Sequence, residues 1–345
     1  MVGMRVLCSS PAIETWIGRL LLVCVVVSQC TGTVASLIAF GDSYSDNGQG
    51  ANKAVQAALG TTQENSGYFP RPPYYQGRFS NGPNWIEIAA ATVSNTLDSY
   101  AAGGAVTGAP GGPSNLPVYP PYDSLSEVAN VPVPSGLQQV AEFLAQNNGT
   151  ARPEHTYVLE FGANDYLNVV AGVSTATVYG VVSTIDQMME TLFNAGAKKF
   201  IVLNVPPIAG LPLFMPPFTP EDMSSAAQAK AASLTAQHNA YLTNRVESFG
   251  VGHQGSINTV YDTYSFFINL ITNAAHEGFT VSPLTTPCYG AKSFYPGFTQ
   301  GYDNPVCSDP DRHIFWDAVH LTSHANNLLA QDFVPKFPDL EHSRV

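Results

Sequence analysis

Short apolar runs alternate along this chain with longer stretches of helical period. Strands are expected near Leu37–Phe40, Leu97–Tyr100, Tyr157–Phe161, Phe200–Asn204 and Ile257–Tyr261. Helices are expected near Asn84–Thr92, Gly136–Gln146, Thr175–Ala195, Glu221–Phe249 and His320–Gln331. The stretch from Glu221 is alanine-rich and carries acidic residues in its first turn. Strand–helix alternation of this kind predicts an α/β fold: a doubly wound, flavodoxin-like parallel sheet of about five strands with helices on both faces. No internal repeat or linker divides the chain, and the Pro- and Gly-rich stretches 104–134 and 206–220 are apolar enough to be ordered loops over the sheet edge.

The N-terminus reads as a signal peptide spanning residues 1–35. Arg5 and Arg19 precede the apolar run Leu20–Val27, which is too short to cross a bilayer, and Thr33-Val34-Ala35 offers a cleavage site. Residues 36–345 are then one domain with no transmembrane segment, expected to be secreted and monomeric. Of the five cysteines, Cys8, Cys24 and Cys30 fall in the leader, leaving Cys288 and Cys307. An even remainder in an oxidising compartment predicts one disulfide, closing the loop before the Asp-His pair described below. Asn148-Gly149-Thr150 is a candidate glycosylation acceptor in a polar turn. The 345 residues are 45% hydrophobic and 12% charged, enough for a sizeable core, and the formal net charge of −12 argues against a nucleic-acid partner.

Two distant segments carry candidate chemistry. Ile38-Ala39-Phe40-Gly41-Asp42-Ser43 is a strand breaking into a turn, which places the Ser43 hydroxyl where a helix is expected to begin and unpaired N–H groups would face an anion. Near the other end, Asp317-Ala318-Val319-His320 lets one turn present a base and the carboxylate that braces it. The glycine pair Gly103-Gly104 and the amide of Asn164, each following a strand, could supply donors for a tetrahedral oxyanion. Taken singly, each segment has an ordinary reading as a turn or a helix cap.

These four segments, in this order, resemble the GDSL hydrolases, or SGNH family. The resemblance covers roughly residues 36–335 and includes Pro72–Pro83, similar to a segment of secreted lipase-like members. It implies Ser43 as nucleophile, Asp317 and His320 as its partners, and an oxyanion hole of Ser43, Gly104 and Asn164, with Gly103 the alternative to Gly104. Ester hydrolysis without metal or organic cofactor follows from the same likeness. Tyr44 departs from the leucine of the family's name, and Ser99 stands where asparagine is frequent. His320 and His324 have metal-ligand spacing, but the intervening residues lack the glutamate of a zinc protease motif, and Asp309, Asp311 and His313 read as a solvated loop. The expected substrate is a carboxylic ester, lipid or otherwise, with apolar Ile208–Met215 either lining an acyl site or packing over the sheet. The resemblance also implies the alternative, an acetylated carbohydrate, because related secreted members include carbohydrate deacetylases; the abundant tyrosines would suit sugar stacking as well. A secreted binding protein that has lost catalysis is a third reading, disfavoured by the complete set of residues.

Overall fold

The computed structural model describes residues 35–337, apart from 94, 119–128, 217, 219–220, 282–285 and 291–305. The proposed leader up to residue 34 and most of the loop between Cys288 and Cys307 therefore lie outside the described residues. The strands in chain order are β1 (Ser36–Gly41), β2 (Thr96–Ser99), β3 (Asn115–Val118), β4 (Ala129–Pro132), β5 (Thr156–Glu160), β6 (Lys199–Leu203) and β7 (Ile257–Tyr261). Five of them form a wholly parallel sheet in the order β2-β1-β5-β6-β7, while β3 and β4 pair antiparallel beside it. Counting only the sheet, the order is 2-1-3-4-5, the flavodoxin-like winding expected from the sequence, with its topological switch between β1 and β5.

Side chains of the central strands alternate between two cores. Leu37, Ala39, Val158, Ile201 and Leu203 face helices Trp85–Thr92, Thr263–Thr272 and Ser323–Phe333. Ile38, Phe40, Tyr157, Leu159, Phe200 and Val202 face Gly136–Gln146, Val178–Asn194 and Glu221–Gly252. Burial on both faces explains why β1, β5 and β6 read as continuous apolar runs.

All five sheet strands lie where the sequence places them. Helix ends differ where caps intervene. Asn84 is the N-cap of Trp85–Thr92, closing a capping box with Glu87. The helix expected from His320 begins only at Ser323, because Thr322 caps it through the Ala325 N–H. The sequence reading also passes over Gly50–Leu59, Ala163–Val170 and Thr263–Thr272. The last is rich in β-branched and aromatic residues, so its local preference is for strand; its Asp262 cap and the burial of Phe266, Phe267 and Leu270 override that preference.

Candidate functional site

β1 delivers Ser43 through a turn tied down at both backbone atoms of Gly41. Gln139, reaching from Gly136–Gln146, accepts from the Gly41 N–H at 2.9 Å and donates to its carbonyl at 2.9 Å. A β-carbon at residue 41 would lie 2.9 Å from Glu160 Oε2 and 3.0 Å from the Glu160 carbonyl oxygen, so a larger residue there crowds the buried Glu160. The expectation of a helix starting at Ser43 is corrected: the next helix is Gly50–Leu59. Buried Asp46 takes up that helix's first amides, with Oδ1 accepting from Gly48, Gln49 and Gly50 and Oδ2 from Ala51. Ser43 thus sits in a turn, and any oxyanion donors beside it are turn amides.

Asp317 and His320 occupy a tight turn between Phe315 and Leu321, which form a β-bridge; the Trp316 N–H donates to the His320 carbonyl at 2.7 Å. Asp317 Oδ1 accepts from the Val319 and His320 backbone N–H groups at 2.8 and 2.7 Å. His320 Nδ1 lies 2.8 Å from Asp317 Oδ2, and Nε2 lies 2.8 Å from Ser43 Oγ. An ionised carboxylate only accepts, so Nδ1 carries the proton and Nε2 is free to accept from the serine hydroxyl. Burial by itself would raise the Asp317 carboxyl. The charge of the His320 ring and hydrogen bonds from His320 and Tyr74 outweigh it and hold the group below its ordinary value. The three residues anticipated at opposite ends of the sequence therefore form one hydrogen-bonded line.

The opposite side of the turn holds the candidate oxyanion donors. The Gly103 N–H donates to Asp46 Oδ2 at 2.9 Å, and a β-carbon there would lie 2.2 Å from the Phe79 ring. Gly104, at φ +81°, has an N–H that meets no acceptor among the described residues, and so does that of Ser43. Of the two glycines left open by the sequence, Gly104 is the one with a donor to offer. Asn164 is the second residue of the helix Ala163–Val170, whose N-cap, Gly162, has φ +118°. Its amide donates to Asp42 Oδ2 at 3.1 Å and to the Ala105 carbonyl at 3.0 Å, beside the nucleophile's turn. Beneath it, Glu160 Oε2 accepts from the Asp42 N–H and the Ser45 hydroxyl. Burial raises Glu160 well above the carboxylate range and the neighbouring Asp42 charge adds to this; Asp42 is also raised, chiefly by burial. The two carboxyls thus favour a shared proton and a single negative charge.

Several supporting residues escape sequence reading although the segment Pro72–Pro83 signals them. The Tyr74 hydroxyl donates to Asp317 Oδ2 at 2.7 Å. The Phe79 ring lies 5.0 Å from the His320 ring, Ser80 donates to the Leu321 carbonyl at 2.9 Å, and Asn81 accepts from the Ser323 N–H at 2.7 Å. Tyr44, in place of leucine, donates to the Val319 carbonyl at 2.6 Å and joins the serine turn to the histidine turn. Ser99 donates to the Ser45 carbonyl at 3.3 Å.

Cys288 and Cys307 are joined by a disulfide. Asn148 is exposed, at φ +54° in the turn after Gln146. Ile208, Leu211, Leu213 and Phe214 are fully buried in the core, and the Leu213 N–H donates to the Ala318 carbonyl at 2.9 Å. Of the two readings for this segment, packing is therefore the one observed. His313 and His324 donate to the carbonyls of Thr286 and Asp311, and no cluster of three metal-binding side chains occurs among the described residues.

The sequence profile of the family described as GDSL-like lipase/acylhydrolase matches residues 37–333. The chain is similar to the thermolabile hemolysin of Vibrio parahaemolyticus, with 24% identity over 90% of this chain and 66% of that protein. It is similar to the phosphatidylcholine-sterol acyltransferase of Aeromonas hydrophila, with 25% identity over 86% of this chain and 76% of the relative. It is also similar to GDSL esterase/lipase 6 of Arabidopsis thaliana, at 23% identity over 94% and 92%. The chain thus spans about two thirds of the hemolysin's length and nearly all of the plant protein's. Among solved structures, an acetyl xylan esterase overlays at a TM-score of 0.39 with 13% identity over 87% of this chain and 98% of that one, too loosely to bear on substrate.

Proposed function

The chain belongs to the GDSL-like lipase/acylhydrolase family of ester hydrolases, and on that premise we propose that it is a secreted serine esterase acting through an acyl-enzyme on Ser43. The observation that carries this reading is the unbroken line from Ser43 Oγ through the His320 ring to Asp317, at 2.8 Å for each link. As Ser43 Oγ bonds to the ester carbonyl carbon, its proton passes to His320 Nε2, and Asp317 stabilises the imidazolium. The carbonyl oxygen, now an oxyanion, faces the Ser43 and Gly104 amides and the Asn164 side chain. Collapse expels the alcohol, which takes the proton from His320. A water then loses a proton to the same nitrogen and attacks the acyl carbon; collapse breaks the bond to Ser43 Oγ, which takes the proton back from His320, and the acid leaves.

An acyl ester is the favoured substrate, and the relative named a phosphatidylcholine-sterol acyltransferase supports a lipid donor. Secretion is supported by the leader-like N-terminus and by a disulfide, a bond stable in oxidising compartments. The exposed Asn148 is compatible with a glycan. The test is hydrolysis of p-nitrophenyl esters from acetate to palmitate by wild type and Ser43→Ala. Activity extending to long chains and abolished in a folded S43A variant is expected. A variant keeping over half the activity would remove Ser43 from the mechanism, and activity confined to acetate, with release of acetate from xylan, would assign a carbohydrate deacetylase instead.

A further inference from the structure

Among the described residues, a single side chain from outside the Asp-His turn hydrogen-bonds to Asp317. The Tyr74 hydroxyl lies 2.7 Å from Oδ2, while every other donor to this carboxylate belongs to Val319 or His320. The two carboxylate oxygens are held unequally. The His320 Nδ1 lies 2.8 Å from Oδ2 and 2.9 Å from Oδ1; Oδ1 is further fixed by two backbone N–H groups of its own turn, whereas Oδ2 has Tyr74 as its one further donor. Tyr74 is buried, with its ring 6.3 Å from Phe79, 5.7 Å from Tyr289 and 6.2 Å from Trp316, edge to face in each case. Packing on three sides leaves the hydroxyl little choice of direction.

We infer that Tyr74 is a positioning residue for the proposed reaction, its hydroxyl fixing Oδ2 and with it the Asp317 carboxylate whose two oxygens hold the His320 ring. The inference rests on the assignment of Ser43, His320 and Asp317 above. Burial and the Asp317 charge push the Tyr74 hydroxyl well above its ordinary range, so it remains a neutral donor throughout the working pH. Donation to Oδ2 also draws negative charge from the oxygen facing the imidazole. Without it the carboxylate is more basic and stabilises imidazolium more strongly. The acid limb of the rate profile then moves upward. The other groups facing this pair are unchanged by loss of the hydroxyl: Tyr44 and Phe79 beside the His320 ring, Asp42 with Glu160 behind it, and Tyr289 beside Tyr74.

Tyr74→Phe keeps the packed ring and removes one oxygen. Turnover of a soluble short-chain ester should fall about tenfold with KM unchanged, the scale of one hydrogen bond to a charged group. The acid limb of kcat/KM should move to higher pH, and melting temperature should change little. An unshifted acid limb with wild-type kcat would overturn the inference, whatever the melting temperature. A second measurement adds Y74F to Asp317→Asn: if Tyr74 acts through Asp317, it causes no further loss there, whereas independent, multiplying losses would refute that route. Failure of the parent reading appears separately, as activity surviving in S43A.

Discussion

Both amide hydrogens of Asn164 are engaged in the resting protein, one by the Asp42 carboxylate and one by the Ala105 carbonyl. An oxyanion can claim a hydrogen from the carbonyl because a developing charge is the stronger acceptor. Asp42, in turn, holds the Asn164 side chain beside Ser43 without swinging away. Asn164→Ala is therefore expected to lower kcat about 10²- to 10³-fold with little effect on KM, the cost of one lost oxyanion donor. It should also lower stability, since Asp42 Oδ2 loses a buried partner. Steady-state rates on a soluble ester decide the matter: a variant with a third or more of wild-type turnover would place Asn164 outside the oxyanion hole.

At the level of elements, the disulfide joins a segment that is laid directly against the Asp-His turn. The Cys288 and Tyr289 N–H groups donate to the Phe315 and Trp316 carbonyls at 3.0 and 2.6 Å, and Cys307 donates to the Cys288 carbonyl at 2.9 Å. Closing a loop of 19 residues stabilises by about 3 kcal/mol in the chain-entropy model. Cys307→Ser should lower the melting temperature by several degrees, and turnover with it, because the backbone beside Asp317 loses its brace. Wild-type turnover in C307S or in the reduced protein would separate the staple from catalysis. The elements themselves were legible to different degrees. β1, β5 and β6 are apolar throughout because both faces are covered, and Asp317-x-x-His320 is a local turn, so pattern and spacing suffice for them. Asp46, Gln139 and Glu160 were not legible. Gln139 and Glu160 act on residues brought near by folding, 98 and 118 positions away, and Asp46, though it accepts from nearby amides, also reaches the Gly103 N–H 57 positions away. Tyr74 is an intermediate case: its segment was recognisable, but its partner lies 243 residues away.

Across the whole molecule, the buried titratable groups set stability and activity against one another in pH. Burial raises Glu160, Asp42 and Asp46, and it pushes Asp165 up to about 6 despite hydrogen bonds from Thr107. A carboxyl raised on folding binds its proton more tightly in the native state. Its contribution to stability is therefore present at low pH and lost as pH rises from the unfolded value of about 4 through the folded one. Two groups run the other way. Burial lowers His238 to about 3, so it costs stability as pH falls below about 6.5, and Asp317, held low, costs stability below about 4. Between about pH 7.5 and pH 5 the raised carboxyls outnumber the opposing imidazole, so the melting temperature should climb on acidification and turn down again below about pH 4. Easing of the −12 net charge acts in the same direction over the upper range. Glu160→Gln isolates the buried term: it keeps the shape, removes the largest raised carboxyl and should flatten the climb. Catalysis makes the opposite demand, because His320 must be neutral to accept the Ser43 proton. A wild-type melting temperature that is flat or declining from about pH 7.5 to pH 5 would mean that the carboxyls beneath the nucleophile do not take up a proton in the folded state.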